Sequence, residues 1–513
     1  MSRRARTLRR ILFGAVVAWG VPVSAVAQEG CAFANDGNDV LNTVTAPGGE
    51  RITYVSNPHF LCEDGVQIWA DSAVTYSAQA MSLLIGAVRY RDRARELRAD
   101  QARYFSNVGR LQAQGHLRVT NADDGSVIEN GDLVYLREAD YRAVEDMTVT
   151  AGRDGVRPRA LVRPAASDST TSDAEPPAPY TVVADRLVLR GTGYFNATGT
   201  VEIERDSLLA FADSAEYEET NEHLVLVGSA RVESGNYDLV GRTITLGTAP
   251  SGPSEIRALR DAVLTGNDLR LTAQQIAIFV TDGTMERLVA VPLEVVAPEL
   301  ADSLGAARPM AIAENFELTA DSIEVQAPAE IVERIVASGS ARSVSHARDS
   351  LNVEELPELA RYDWLEGDTV VVSLVHLADS LSAAPDTTGG EYVVDRIVAR
   401  VGARSLYRLP PEDSTAVAGV DLPALHYVMG DEITIIMREG TVEAMEVVGQ
   451  TRGVHLEPLG PRTPDPPADS TVTPRADSAA LTLHQPRTSG PAPTVPPPAG
   501  TPPAQGAEPW TRR

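Results

Sequence analysis

No lysine occurs in the 513 residues. The 45 basic side chains are all arginine, set against 71 carboxylates, for a formal net charge of −26. A surface this acidic excludes nucleic acid as a partner, because phosphate binding needs a cationic face. It also disfavours electrostatic docking on anionic lipid headgroups, and its ordinary role is to keep a strand-rich protein soluble. Aromatic residues are scarce, at 5%. Ala, Val, Leu and Ile must therefore fill the core, which suits thin layers of strand. The eight histidines are scattered and none stands at metal-ligand spacing. There is no Gly-x-Ser-x-Gly elbow and no phosphate loop. Neither a cofactor, a metal site nor an enzyme is expected.

Cysteine is nearly absent. Cys31 and Cys62 are the two present, and in an exported protein they suggest one disulfide; the other reading is two unpaired thiols. Export is indicated by residues 1–27, which read as a signal peptide. Arg3, Arg4, Arg6, Arg9 and Arg10 are its basic start, Ile11 to Val23 its apolar stretch, and Ala25-Val26-Ala27 the site, with cleavage after Ala27. An uncleaved anchor is the rival, but the stretch is short for a spanning helix and Pro22 interrupts it. No later segment is long and apolar enough to span a membrane as a helix.

What is present is a repeat. A small residue, usually followed by Asp, opens a period-two alternation at Ala70-Asp71, Ala99-Asp100, Gly131-Asp132, Ala184-Asp185 and Ala212-Asp213. Weaker copies start at Gly241-Arg242, Ala273-Gln274 and Ala320-Asp321, and late copies at Gly367-Asp368 and Gly430-Asp431. Most are followed by two apolar alternations split by a glycine, as in Leu111 to Val119 around Gly115 and Leu224 to Val232 around Gly228. Asp71 and Asp100 are 29 residues apart, Asp185 and Asp213 28 apart, room for about four short strands. Alternation argues strand over helix, and the glycine marks a bend or bulge. Asp71, Asp100, Asp132, Asp185, Asp213 and Asp321 invite a calcium reading, but a lone carboxylate per turn falls short of the roughly 6–8 oxygens calcium takes. A turn or strand-start role is expected.

The stretch from Ala70 to Tyr135 resembles the OstA-like/LptA family of periplasmic lipopolysaccharide-transport proteins. The likeness is carried by Ala70-Asp71-Ser72-Ala73, Leu83 to Gly86, Ala99 to Tyr104, Gly109 to Gly115 and Gly131-Asp132. It implies an all-β fold of stacked antiparallel strands in an open β-jellyroll, or β-taco, and a periplasmic protein that binds lipopolysaccharide or another acylated envelope lipid. It implies partners of the same fold, joined by edge-strand pairing. The expected division is 28–156 and 181–457 as repeat regions, 157–180 as a disordered loop and 458–513 as a Pro-rich disordered tail. Shorter irregular stretches are expected near 296–313 and 379–391.

If the two inner faces fail to close, they leave an apolar trough. Its candidate lining is Val74, Tyr76, Leu83, Ile85, Val88, Tyr90, Tyr104, Leu111, Leu117, Val119, Leu133 and Tyr135. Arg89, Arg91, Arg103 and Arg110 could reach lipid phosphates at its rim, though such arginines more often balance neighbouring acids. Two other readings stay open: a structural or adhesive envelope solenoid with no lipid, and a β-helix enzyme acting on polysaccharide through carboxylates that the sequence cannot single out.

Overall fold

The computed structural model describes residues 31–458 apart from 35–40, 63–64, 164–178, 192, 206–207, 219–222, 236, 248–253, 267–268, 282–283, 293–307, 314–315, 329–330, 346–350, 379–389, 410–421 and 439–440. The signal peptide, the middle of the 157–180 loop, most of the two irregular stretches and nearly all of the tail lie outside the described residues. Among these there are 32 strands, two short 3-10 turns and no α-helix. All the strand pairings are antiparallel, as the period-two pattern predicts. In Arg110–Gln114, for example, Leu111 and Ala113 are buried while Arg110, Gln112 and Gln114 point the other way.

The chain climbs in rungs. Each rung crosses a corner, so one part of it belongs to one wall and the rest to a second wall. Twelve strands bend through the corner unbroken, such as Met81–Arg91, Tyr194–Arg205, Leu208–Glu218 and Ala424–Arg438. The other twenty are ten consecutive pairs that stop on either side of it, such as Arg110–Gln114 with Arg118–Asn121. Each wall therefore has 22 strands among the described residues. The first wall starts at Leu41–Thr45 and ends at Thr441–Val448; the second starts at Cys31–Phe33 and ends at Arg452–Leu456. At about 4.8 Å per strand spacing, the ladder is roughly 100 Å long.

The repeated Asp and Gly build the corner. Asp71 N donates to Gly86 O at 2.9 Å, Asp100 N to Gly115 O at 2.9 Å, Asp185 N to Gly199 O at 3.0 Å and Asp321 N to Gly339 O at 3.0 Å. The aspartate side chain then stands over the glycine of the next rung. A Cβ on Gly228 would lie 2.3 Å from Asp213 Oδ2, and one on Gly86 2.2 Å from Asp71 Oδ2. Both glycines have φ near +80°, at 79° and 78°, and the following Ser229 and Ala87 are also left-handed. Two such residues in succession form the bulge that shifts the register and turns the strand. One weaker copy exchanges the parts: opposite Gly241-Arg242 the turning residues are Arg260-Asp261, with Arg242 paired to Asp261 at 3.2 Å. Asp132 differs from the other five. There Asn130 and Gly131 make the turn, and the space over Gly131 is taken by the carbonyl of Thr150.

The interruption between the repeat regions is shorter than its composition implies. Arg159–Val162 and Tyr180–Val183 pair with each other and continue the second wall, because their alternating Ala160, Val162, Tyr180 and Val182 complete its buried face. Met310–Ala313 likewise recovers the ladder within the 296–313 stretch. At the first rung Cys31 faces Cys62 and the two are joined in a disulfide.

Candidate functional site

The two walls face each other across one continuous apolar interior. Its buried members run from Val55 to Ile435, with Leu84, Leu111, Leu187, Leu226, Ile276, Val325 and Val370 all fully shielded. A trough that stands open is therefore not what the structure holds: the inner side chains meet. A small cavity of about 20 Å³ touches Arg95, Val119, Ile128 and Leu189; one of about 200 Å³ lies instead on the outer face of the first wall, against Leu83, Arg103, Gln112 and Val134.

Eight of the twelve candidate lining residues lie on the inner faces and are buried: Val88, Tyr90, Tyr104, Leu111, Leu117, Val119, Leu133 and Tyr135. The other four, Val74, Tyr76, Leu83 and Ile85, lie on the outside of the first wall, where Ile85 is 40% exposed. Alternation explains this split: in Met81–Arg91 the even positions Leu84, Val88 and Tyr90 point in on both sides of the bulge, and Leu83 and Ile85, paired with Val74 and Ser72, point out. Arg89, Arg91 and Arg103 are exposed on the outer faces, Arg91 paired with Glu96 at 3.2 Å, and Arg110 lies over the Phe105 ring at 5.8 Å.

The mouth, where the outer ends of the walls approach, is fastened. Tyr90 and Arg95 come from the second wall, Tyr104 and Tyr135 from the first. The Tyr90 ring lies 6.1 Å from Tyr104 and 6.0 Å, edge-on, from Tyr135. The Tyr90 hydroxyl donates to Asp92 Oδ2 at 3.0 Å; the Tyr135 hydroxyl lies 2.9 Å from the same oxygen and 3.0 Å from Glu145 Oε2. Arg95 Nε donates to Glu145 Oε1 at 2.9 Å and a second guanidinium N–H reaches the same oxygen. Asp92 also caps its own turn, accepting from the backbone N–H of Ala94 and Arg95. Burial pulls Arg95 downward, but the hydrogen bond and charge of Glu145 outweigh it and hold the guanidinium above its ordinary value. A second aromatic contact crosses the mouth further along, between Tyr180 and Tyr217 at 6.0 Å, with Arg205 donating to the Tyr180 hydroxyl.

Burial, then the charge of Asp92, push both Tyr90 and Tyr135 well above the usual phenol range. In the unfolded chain both ionise near pH 10. Their contribution to stability is complete below about pH 10 and is lost as the pH climbs from there toward the folded values, because the folded form then holds more protons. The expected slope is about 1.4 kcal/mol per pH unit for each tyrosine. Hydrogen exchange of strands Met81–Arg91 and Asp132–Leu136 across this range checks it. A Tyr135→Phe variant should show about half the slope there.

Sequence reading found the three tyrosines as apolar lining and missed Asp92, Arg95, Glu145 and Arg137, whose guanidinium donates to the Tyr104 hydroxyl at 3.3 Å. The signal was faint: Tyr90, Tyr104 and Tyr135 each sit at the last inner position before a turn, where a polar tip can meet the polar turn residues.

Residues 67–249 match the family described as LptA/(LptD N-terminal domain) LPS transport protein. No curated protein matches the sequence. Among solved structures, the chain is similar to the crystal structure of LptH, the LptA homologous periplasmic component of the conserved lipopolysaccharide transport device from Pseudomonas aeruginosa. That match has 20% identity, covers 26% of this chain and 82% of that one, and has a TM-score of 0.20. The family match spans Gln67 to Thr248 and Ala249, which takes in the first five Asp-opened repeats and the mouth between Tyr90 and Glu145. Through residues 67–249 the chain thus resembles the LptA/OstA-like family of lipopolysaccharide-transport proteins.

Proposed function

We propose that this protein carries lipopolysaccharide, or a related acylated lipid, across the periplasm with its acyl chains held between the two walls. The observation that supports this most is continuity: the inner sides of both walls are apolar over most of the ladder, in a chain whose residues 67–249 match a lipopolysaccharide-transport family. Burying a methylene is worth about 0.8 kcal/mol, so a few long chains can be held without charge pairing. Because the walls are in contact, uptake requires them to part at the mouth, and the hinge for that motion is the row of corners. The end strands Leu41–Thr45 and Thr441–Val448 each have a strand partner on one side only among the described residues. Such edges suit pairing with another β-jellyroll into a bridge.

The contact between the walls also suits a second reading, a structural envelope solenoid with no lipid. Protein purified gently from its native envelope separates the two. Under the transport reading, extraction releases acylated lipid detectable by mass spectrometry. A photo-crosslinking residue at Leu111, on the inner face, captures that lipid, and one at Gln112, on the outer face, does not. No lipid and no adduct at Leu111 would leave only the structural solenoid.

A further inference from the structure

The two walls stop being alike near the C-terminal end. Over most of the ladder the buried inner positions of the second wall are hydrocarbon or aromatic. Ser343 and Ser405, at 4% and 2% exposure, are the two buried aliphatic hydroxyls among the described residues. Both are inner-facing: each pairs directly with Leu365, a member of the main core, and Ser405 pairs on its other side with the buried Val428. The two hydroxyls therefore flank Leu365, about 10 Å apart across two strand spacings. Two positions further out on the same face, Tyr407 pairs with His426, which lies 5.7 Å from His455.

Opposite them the first wall stays apolar, with Val372, Ile397 and Ile435. Its outer inner-face residues Leu374, Val394 and Met437 are only partly buried, unlike Tyr90, Tyr104 and Tyr135 at the other end of the ladder. No arginine projects into this space from the inner positions named, and Glu457 is bonded to His455 at its margin. A phosphate would find no cation here. A neutral group that both donates and accepts would find two inner-facing hydroxyls, a phenol and an imidazole on one side and hydrocarbon on the other.

We infer that the C-terminal rungs hold a subsite for the neutral linkage region of an acylated glycolipid, its esters, amides or hydroxyls. Ser343 and Ser405 bond that region while the adjoining acyl chain lies on Ile397 and Ile435. The inference rests on the transport reading above and adds a polarity to the interior that the family match, which ends at residue 249, does not reach.

The test compares two probes on the full chain: fluorescent lipopolysaccharide and a fluorescent long-chain fatty acid. Replacing both hydroxyls, Ser343→Val with Ser405→Val, is expected to lower preference for lipopolysaccharide over the fatty acid about tenfold, since polar groups of the bound lipid lose their partners. Valine suits a buried strand position, so the fold is retained. An unchanged ratio overturns the inference. As a second measurement, a photo-crosslinking residue at Ile435 in the otherwise native chain is expected to capture lipopolysaccharide; lipid adducts at Leu111 with none at Ile435 also overturn it. If the native chain binds neither probe, the transport reading itself fails, a result distinct from an unchanged ratio.

Discussion

Bridging the mouth with a covalent linker is expected to reduce lipid loading by at least about tenfold. Arg93 and Val144 are exposed neighbours of Asp92 and Glu145, one on each side of the mouth. An Arg93→Cys, Val144→Cys chain can be joined there by a short bifunctional maleimide. The native cysteines are tied in a disulfide and do not compete. Every group of the fastening, Tyr90, Asp92, Arg95, Tyr135 and Glu145, is left in place. If lipid enters only when the walls part, the linker removes the competent population and apparent affinity falls by the same factor. Loading is read by bound lipid per protein before and after linking. Equal loading would show that chains thread in from the ends of the ladder.

The converse change has the opposite sign. Arg95 and Glu145 form a shielded pair whose charges were both taken out of water. Replacing the pair by Met and Leu should cost less stability than Arg95→Met alone, which strands a carboxylate at a cost of about 3 kcal/mol or more. A mouth without its ion pair opens more readily, so the double variant is expected to load faster.

Gly228→Ala is expected to destabilise its region by about 3 kcal/mol. About 1–2 kcal/mol comes from a side chain at φ +79°. The rest comes from displacing the Asp213 carboxylate, whose Oδ2 lies 2.3 Å from where the new Cβ must go, an overpacking cost of about 1–3 kcal/mol. Gly235→Ala is the control. Its φ is also positive, at 54°, but nothing lies within 4 Å of the added atom, so only the backbone part is expected. Adding Asp213→Ala to Gly228→Ala should recover the overpacking part and leave the backbone part. A ladder whose rungs touch only their neighbours does not melt as one unit. The effect is therefore measured by hydrogen exchange in Leu208–Glu218 and His223–Ser234. Equal losses at positions 228 and 235 would remove the carboxylate from its role in the corner.

The corner also shows how a repeat can be seen before its purpose is. In the sequence, Ala-Asp and the split glycine read as separate signs, a strand start and a bend. They are two halves of one contact, the aspartate of one rung lying over the glycine of the next, 15 residues on in Asp71 with Gly86 and in Asp100 with Gly115. Calcium-like spacing gave no hint of this, because the partner is a backbone with no side chain at all.

Local chemistry alone determined that this chain makes strands, that they bend at glycines, and that alternate residues form a core of small aliphatic groups. Each depends on neighbours within a few positions: the period-two pattern, the left-handed preference of glycine, the scarcity of aromatic bulk. The tertiary arrangement decided the rest. Whether Leu83 and Ile85 or their neighbour Leu84 face in depends on which side of the strand meets the opposite wall, which the sequence does not reveal where both sides are apolar. Whether the walls stand apart or meet depends on Asp92, Arg95, Tyr135 and Glu145, up to 53 residues apart in sequence and joined only when two turns from opposite walls come together. Side-chain pairing at that separation is set by the register of the whole ladder, which no single repeat encodes.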